Sequence, residues 1–370
     1  MHRTRLLALV AAAALLLSGC SAAGATSPEP VDANCPDAVV ALSDLEPVTE
    51  PRAVEGPSTA CIPSLAIEPV ADTSAPALPV TLTDAEGREV EVTDVSRILP
   101  VDISGTIAAT VFALGLGDNV VGRDTSTDFP GTEELPVVTK SGHTLNAEAI
   151  LEIAPTVVLT DTSIGPKEVR QQLRDVGIAV VVISSEHNLE TVGDLVDEIA
   201  HALGVDQRGD AFRTQLETEI ADARAEATDV APAAASDRVR MLFLYARGNA
   251  NIYYIFGRDS GADSLIEAVG GIDVAGEIGW EGMKPMTAEA LVAAQPDVIV
   301  MMTDGLSSVG GVDGLIEVIP AVGQTPAGAN RRVIDMADTA ILSYGPRSPD
   351  IVRALARALY APPAASGPGA

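Results

Sequence analysis

From Arg97 onward, short apolar runs of strand length alternate with stretches whose apolar positions recur at helical spacing. Ile98 to Val101, Val120 to Gly122, Thr156 to Thr160 and Val180 to Ile183 read as strands; Ile107 to Leu114, Ala147 to Ile153 and Lys167 to Val176 read as helices. The short glycine-bearing turns between them predict mostly parallel sheets with helices on both faces. Just upstream, Val80 to Thr83 and Arg88 to Val92 alternate apolar and polar around Gly87, a hairpin signature. A long helical stretch, Leu189 to Ala227, carries Val192, Leu195, Val196, Ile199 and Leu203 near helical spacing, with one break at residues 204–209. A second α/β block runs from Arg238 to about Tyr360. The predicted fold class is α/β: two Rossmann-like lobes joined by a long interlobe α-helix, with a ligand cleft between the lobes. The predicted units are an N-terminal lobe over 79–186, the interlobe helix and linker over 187–236, a C-terminal lobe over 237–361, and a tail over 362–370.

The two blocks share a motif. Ala147-Glu148-Ala149-Ile150 followed by Pro155 recurs 141 residues downstream as Ala288-Glu289-Ala290-Leu291 followed by Pro296. Each copy opens with a capping-type residue, Asn146 or Thr287, and runs into an apolar strand. A period this long suits two similar lobes, not a solenoid. One position differs in kind: His143 stands five residues before the first glutamate, and Lys284 holds that place in the second copy.

The N-terminus adds a processing signal. His2, Arg3 and Arg5 precede an apolar run from Leu6 to Leu17, too short to span a bilayer, and Leu17-Ser18-Gly19-Cys20 has the form of a bacterial lipoprotein signal. This predicts a signal peptide over 1–19, lipidation of Cys20, and an extracytoplasmic protein tethered to the cell membrane by lipid. Removing Cys20 leaves Cys35 and Cys61, a pair suited to a disulfide in an oxidising compartment. Residues 20–78, rich in Ala, Pro and Ser, read as a lipid-anchored spacer, partly disordered apart from that cysteine loop.

Charge and motifs narrow the function. A net charge of −29 argues against nucleic acid and anionic lipid headgroups as partners. There is no G-x-S-x-G, no H-E-x-x-H and no Walker A loop, so nothing points to an enzyme.

The lipoprotein signal, entry hairpin, two α/β lobes, helical crossover and doubled Ala-Glu-Ala block together resemble the helical-hinge (cluster A, class III) substrate-binding proteins of bacterial ABC importers, over roughly residues 80 to 360. Within that group Ser141-Gly142-His143-Thr144-Leu145 and Tyr245-Ala246-Arg247-Gly248 are similar to the haem-ligand segments of HmuT-type haem-binding lipoproteins. The resemblance implies haem as the transported ligand, with His143 and Tyr245 as axial iron ligands from opposite lobes. It also implies a permease dimer with its ATPase as partner, and Glu148 and Glu289 as the acids that dock on it. An acid in the first helical turn also stabilises the helix dipole by about 0.3–1 kcal/mol, and the two roles are compatible. On a strand of period two, Arg247 falls on the same face as Tyr245, where a cation favours tyrosinate. Trp280, Met283, Met286, Met301, Met302, Tyr253 and Tyr254 are candidate pocket walls, and Arg258 or Lys140 candidate partners of haem propionates. His187 and His201 read as structural. A ferric siderophore or cobalamin carrier of the same fold is the alternative.

Overall fold

The computed structural model describes Cys35, residues 39–140 and residues 142–362. The lipidation candidate Cys20 lies outside the described residues. Lobe one is built on three parallel strands, Ile98–Val101, Val157–Thr160 and Ala179–Val182. Val120 bridges to the far edge of the first. All four residues of each of the first two strands are buried, as a sheet covered on both faces requires. The predicted hairpin forms between Val80–Thr83 and Glu89–Val92, in register Val80 to Val92.

The long helical stretch is two helices, not one. Val192–Ala202 packs back on Asp206–Val230 through a reversal at Gly204. Gly204 has φ +68° and lies so close to Ala77 that a Cβ would fall 2.8 Å from its carbonyl oxygen. The break is tighter than predicted, because Gly209 belongs to the second helix and lets it press on Ala200. Only the second helix crosses between lobes; its 25 residues span about 37 Å. Phe212, Leu216, Ile220, Ala223 and Ala227 form its buried stripe. Arg213 ties it to Asp194 of the preceding helix, and Glu226 pairs with Arg353 of the last helix, Ser348–Tyr360.

Lobe two carries a mixed sheet. Its central strands, Val333–Met336, Val298–Met302 and Arg240–Arg247, are parallel; Ile252–Phe256 and Met283–Pro285 then add antiparallel. The Ile252–Phe256 strand turns back through Asn251, whose φ of +53° is left-handed.

Residues 39–78 correct the expectation of a spacer: they form a strap. Ser58–Thr59 adds a parallel edge strand to lobe two, beside Val333–Met336. Further on, Val70 donates to Ala113 and Ala77 to Gly204, both in the N-terminal half of the fold. Arg208 reaches from the crossing helix to Leu114 and Ser74 carbonyls. The expected disulfide Cys35–Cys61 is present and closes 26 residues, a constraint of about 3 kcal/mol in the loop-entropy treatment. Composition suggested a linker because the strap is held by backbone pairing and arginine contacts more than by a run of large apolar side chains.

The repeat is deeper in structure than in sequence. Both helices, Ala147–Glu152 and Ala288–Ala294, end before a left-handed residue, Ala154 (φ +43°) or Gln295 (φ +45°), that precedes the proline. In lobe one Arg97 donates to the Ala154 and Ile153 carbonyls at 2.9 and 2.5 Å. In lobe two Arg240 donates to those of Gln295 and Ala294 at 3.4 and 3.0 Å. These contacts satisfy carbonyls that a helix end leaves without partners. The caps at the other end differ: Thr287 accepts from Ala290, whereas the side chain of Asn146 makes no capping bond.

Arg332 holds the strap to lobe two. It is 1% exposed and donates to Ser58 Oγ, the Gly56 carbonyl and the Ala358 carbonyl. Arg332→Met strands those acceptors, so a lower urea midpoint is expected, equivalent to a loss of about 3 kcal/mol, with faster amide exchange at residues 58–60. An unchanged midpoint would show that the strap is held by other contacts.

Candidate ligand cleft between the lobes

The lobe-one wall centres on a tight turn. His143 lies between Thr139–Lys140 and Thr144–Leu145, an antiparallel pair joined through Gly142, whose φ is +85°. The turn is pinned from behind: Thr125 Oγ1 donates to the Gly142 carbonyl at 3.0 Å, and Leu145 N–H to that of Gly165 at 2.7 Å. His143 is half-buried, and its Nδ1 has no hydrogen-bond partner among the described residues. Burial, and then the charge of Arg247, hold its pKa below the usual histidine value, with Asp102 pulling the other way. This direction favours the neutral imidazole, the form able to coordinate a metal.

The lobe-two wall is the carboxyl end of Arg240–Arg247, where open α/β sheets take ligands. Alternation puts Met241, Phe243 and Tyr245 against one core cluster and Leu242, Leu244 and Ala246 against the other, as predicted. Tyr245 lies directly opposite Tyr254 on the antiparallel neighbour, their rings 6.4 Å apart, with Phe256 6.2 Å away on the same face. The Arg247 guanidinium sits over the Tyr245 ring, 5.1 Å from its centre. Its Nη2 donates to Asp338 Oδ2 at 2.9 Å.

Beneath these walls lies a buried polar floor that the sequence reading did not single out. Asp102 and Asp161 directly follow strands of lobe one, and Asp124 follows the bridged segment at Val120. Asp102 accepts from Thr106 and Ile107 at the start of the helix Thr106–Ala113. Burial, and then the Asp102 charge, push Asp124 up to about 7; the same two causes raise Asp161, whose Oδ2 is 3.8 Å from His187 Nε2. Arg347, from the start of the last helix, is 3% exposed, and burial brings it down to about 10 against the pull of Asp102. The available signal was an aspartate immediately after two of the apolar runs, Asp102 after Val101 and Asp161 after Thr160.

The pocket-wall candidates divide between the two faces of the lobe-two sheet. Tyr254, Met302 and the 56% exposed Met283 share the Tyr245 face. Met301 is fully buried in the other core cluster, and Tyr253, Trp280 and Met286 pack against that cluster, so these four do not line the cleft. Trp280 is further held by its Nε1 donating to the Ile255 carbonyl. Arg258 lines a separate cavity of about 420 Å³ with Arg238, Asp273 and Glu277, away from His143 and Tyr245. Lys140 is exposed beside the His143 turn. Glu148 and Glu289 are both exposed in the first turns of their helices.

A profile of the periplasmic binding protein family matches residues 101–340. A solved structure of the heme binding protein HmuT is 42% identical, with a TM-score of 0.80, covering 85% of this chain and all of that one. Further structures of HmuT carry single alanine substitutions of a histidine, a tyrosine and an arginine; the last two lie two positions apart, the spacing of Tyr245 and Arg247. An uncharacterized ABC transporter substrate-binding lipoprotein of Bacillus subtilis is 27% identical over 76% of this chain and 86% of its own length. A cobalamin-binding protein of Halobacterium salinarum is 25% identical over 76% of this chain and 74% of its own. With the family profile matching more than half of its length, and two α/β lobes enclosing a cleft, this chain belongs to the periplasmic binding protein family.

Proposed function

We propose that the protein captures haem in the interlobe cleft and delivers it to an ABC importer. What supports this reading is one side chain able to bind iron in each lobe: the half-buried His143 of lobe one, whose pKa burial lowers, and Tyr245 of lobe two with Arg247 over its ring. Imidazole and phenolate are both axial ligands of ferric haem, and a cation at the phenol favours the charged form that binds. Tyr254, Met283 and Met302 supply an apolar face for a porphyrin on the same side as Tyr245. Lys140, exposed beside the His143 turn, is a cation available to the carboxylates of the porphyrin edge. The 42% identity to a heme binding protein favours haem over a corrinoid.

The site binds and releases its ligand without altering it. Glu148 and Glu289 project from equivalent helices whose ends are fixed by Arg97 and Arg240, a two-point contact for a permease of two subunits. Lipidation at Cys20 would hold the protein at the membrane. The Cys35–Cys61 bridge fastens Cys35 on the lobe-two side, where Arg357 of the last helix donates to the Cys61 carbonyl.

Hemin added to the purified protein gives a shifted Soret band that excess cyanocobalamin does not reverse. Tyr245→Ala weakens hemin binding by at least the ~10–100-fold that losing a supporting metal contact costs, and adding His143→Ala weakens it further. An undiminished Soret shift in the double variant removes the axial pair. Separately, Glu148→Arg combined with Glu289→Arg abolishes hemin-dependent growth of cells carrying the importer and leaves hemin affinity in solution unchanged; growth at the parental rate rules out docking through these acids.

A further inference from the structure

Arg247 is a flexible side chain with five donors, and among the described residues its one side-chain hydrogen bond is Nη2 to Asp338. Asp338 is itself fixed: its Oδ1 accepts the backbone N–H of Asp304 at 2.9 Å. Asp304 follows the strand Val298–Met302, and Asp338 follows Val333–Met336. One carboxylate therefore ties together the carboxyl ends of three adjacent parallel strands, with Arg247 at the far end of the tie. The side chains are 35% and 18% exposed, so solvent screens the pair and it adds little to stability. Its geometric effect is larger. It leaves the remaining donors of Arg247 unused and holds the guanidinium 5.1 Å from the centre of the Tyr245 ring.

Resting on the haem reading above, we propose that Asp338 is the positioning residue of the site: it stations Arg247 over Tyr245 so that the cation is in place when the phenolate meets iron. The geometry around Arg247 supports this: its guanidinium lies over the Tyr245 ring, and its side-chain hydrogen bond runs to a carboxylate that is itself anchored on the Asp304 backbone. Released from Asp338, the guanidinium is free to swing toward Asp304, away from the ring. A conserved charge count would not prevent this; the position of the carboxylate does.

Two effects of removing the carboxylate have opposite signs, which makes the proposal testable. Loss of a negative charge near a phenolate, acting directly, stabilises tyrosinate and tightens hemin. Loss of Arg247 placement weakens it. The measurement is the rate of hemin transfer from the full chain to apomyoglobin, with the phenolate-to-iron charge-transfer band recorded in parallel. Asp338→Asn is expected to release hemin roughly 10-fold faster and to shift that band, in line with loss of an outer metal-site contact. Asp338→Glu restores both, and in an Arg247→Ala background Asp338→Asn no longer speeds release, because only the direct effect, which slows it, is left. Unchanged or slower release in Asp338→Asn, or an equal effect in the Arg247→Ala background, overturns the positioning role. Absence of a hemin Soret shift in the unsubstituted protein instead overturns the haem reading itself, so the two failures are distinct.

Discussion

One apolar core threads both lobes, and the geometry of the cleft depends on it. The same cluster of buried residues takes in Ile98 and Ile107 of lobe one, Leu216 and Ile220 of the crossing helix, and Phe243, Val300 and Leu355 of lobe two. Close packing of such a cluster resists relative movement of its parts, because interiors deform little. The strap over residues 39–78 adds a second connection, as an edge strand on lobe two and hydrogen bonds to Ala113 and Gly204 beyond it. The walls that carry His143 and Tyr245 are thereby held at a set separation, which is what a rigid planar ligand needs from its two sides.

Within this frame duplication and asymmetry serve different ends. Each lobe sets a glutamate-bearing helix by the same device: an arginine at the first strand of the sheet donates to the helix-end carbonyls before a left-handed residue and a proline. The backbone of that first arginine is also held alike, by Thr156 Oγ1 in lobe one and Asp297 Oδ2 in lobe two. What faces the ligand is not duplicated. Lobe one offers a histidine on a turn above an acidic floor; lobe two offers a tyrosine on a strand with an arginine over it. On the proposed reading, equal docking surfaces and unequal ligand surfaces follow from one repeated supersecondary unit with different loops.

The two-lobed α/β architecture was legible because period-two and period-3.6 patterns are set by burial, and burial dominates both sheets. His143, Tyr245 and Arg247 were singled out by the resemblance of short segments, and strand alternation put Arg247 on the Tyr245 face, where it lies. The pocket walls were less so. Met301 and Met302 are consecutive on a strand, so alternation alone puts them on opposite faces, and Met301 is the one lost to the core. Trp280 looked like a cleft aromatic because few aromatics exist, yet its indole N–H is satisfied by a backbone carbonyl on the far side of the sheet. The strap was missed because Pro- and Ala-rich composition reads as linker, while its order comes from partners roughly 275 to 300 residues away, such as Asp335 and Ala358. The arginine clamps at Ala154 and Gln295 and the tie at Asp338 are likewise long-range pairings that no local window contains.

The most direct test of the central claim, that two unlike side chains from opposite lobes hold one iron between them, is diffraction from crystals of the hemin complex at the iron absorption edge. The anomalous peak is expected in the cleft, bonded to the Tyr245 oxygen on one side and an imidazole nitrogen of His143 on the other, with the porphyrin face against Tyr254. Iron located outside the cleft, or bound there by neither residue, would contradict it.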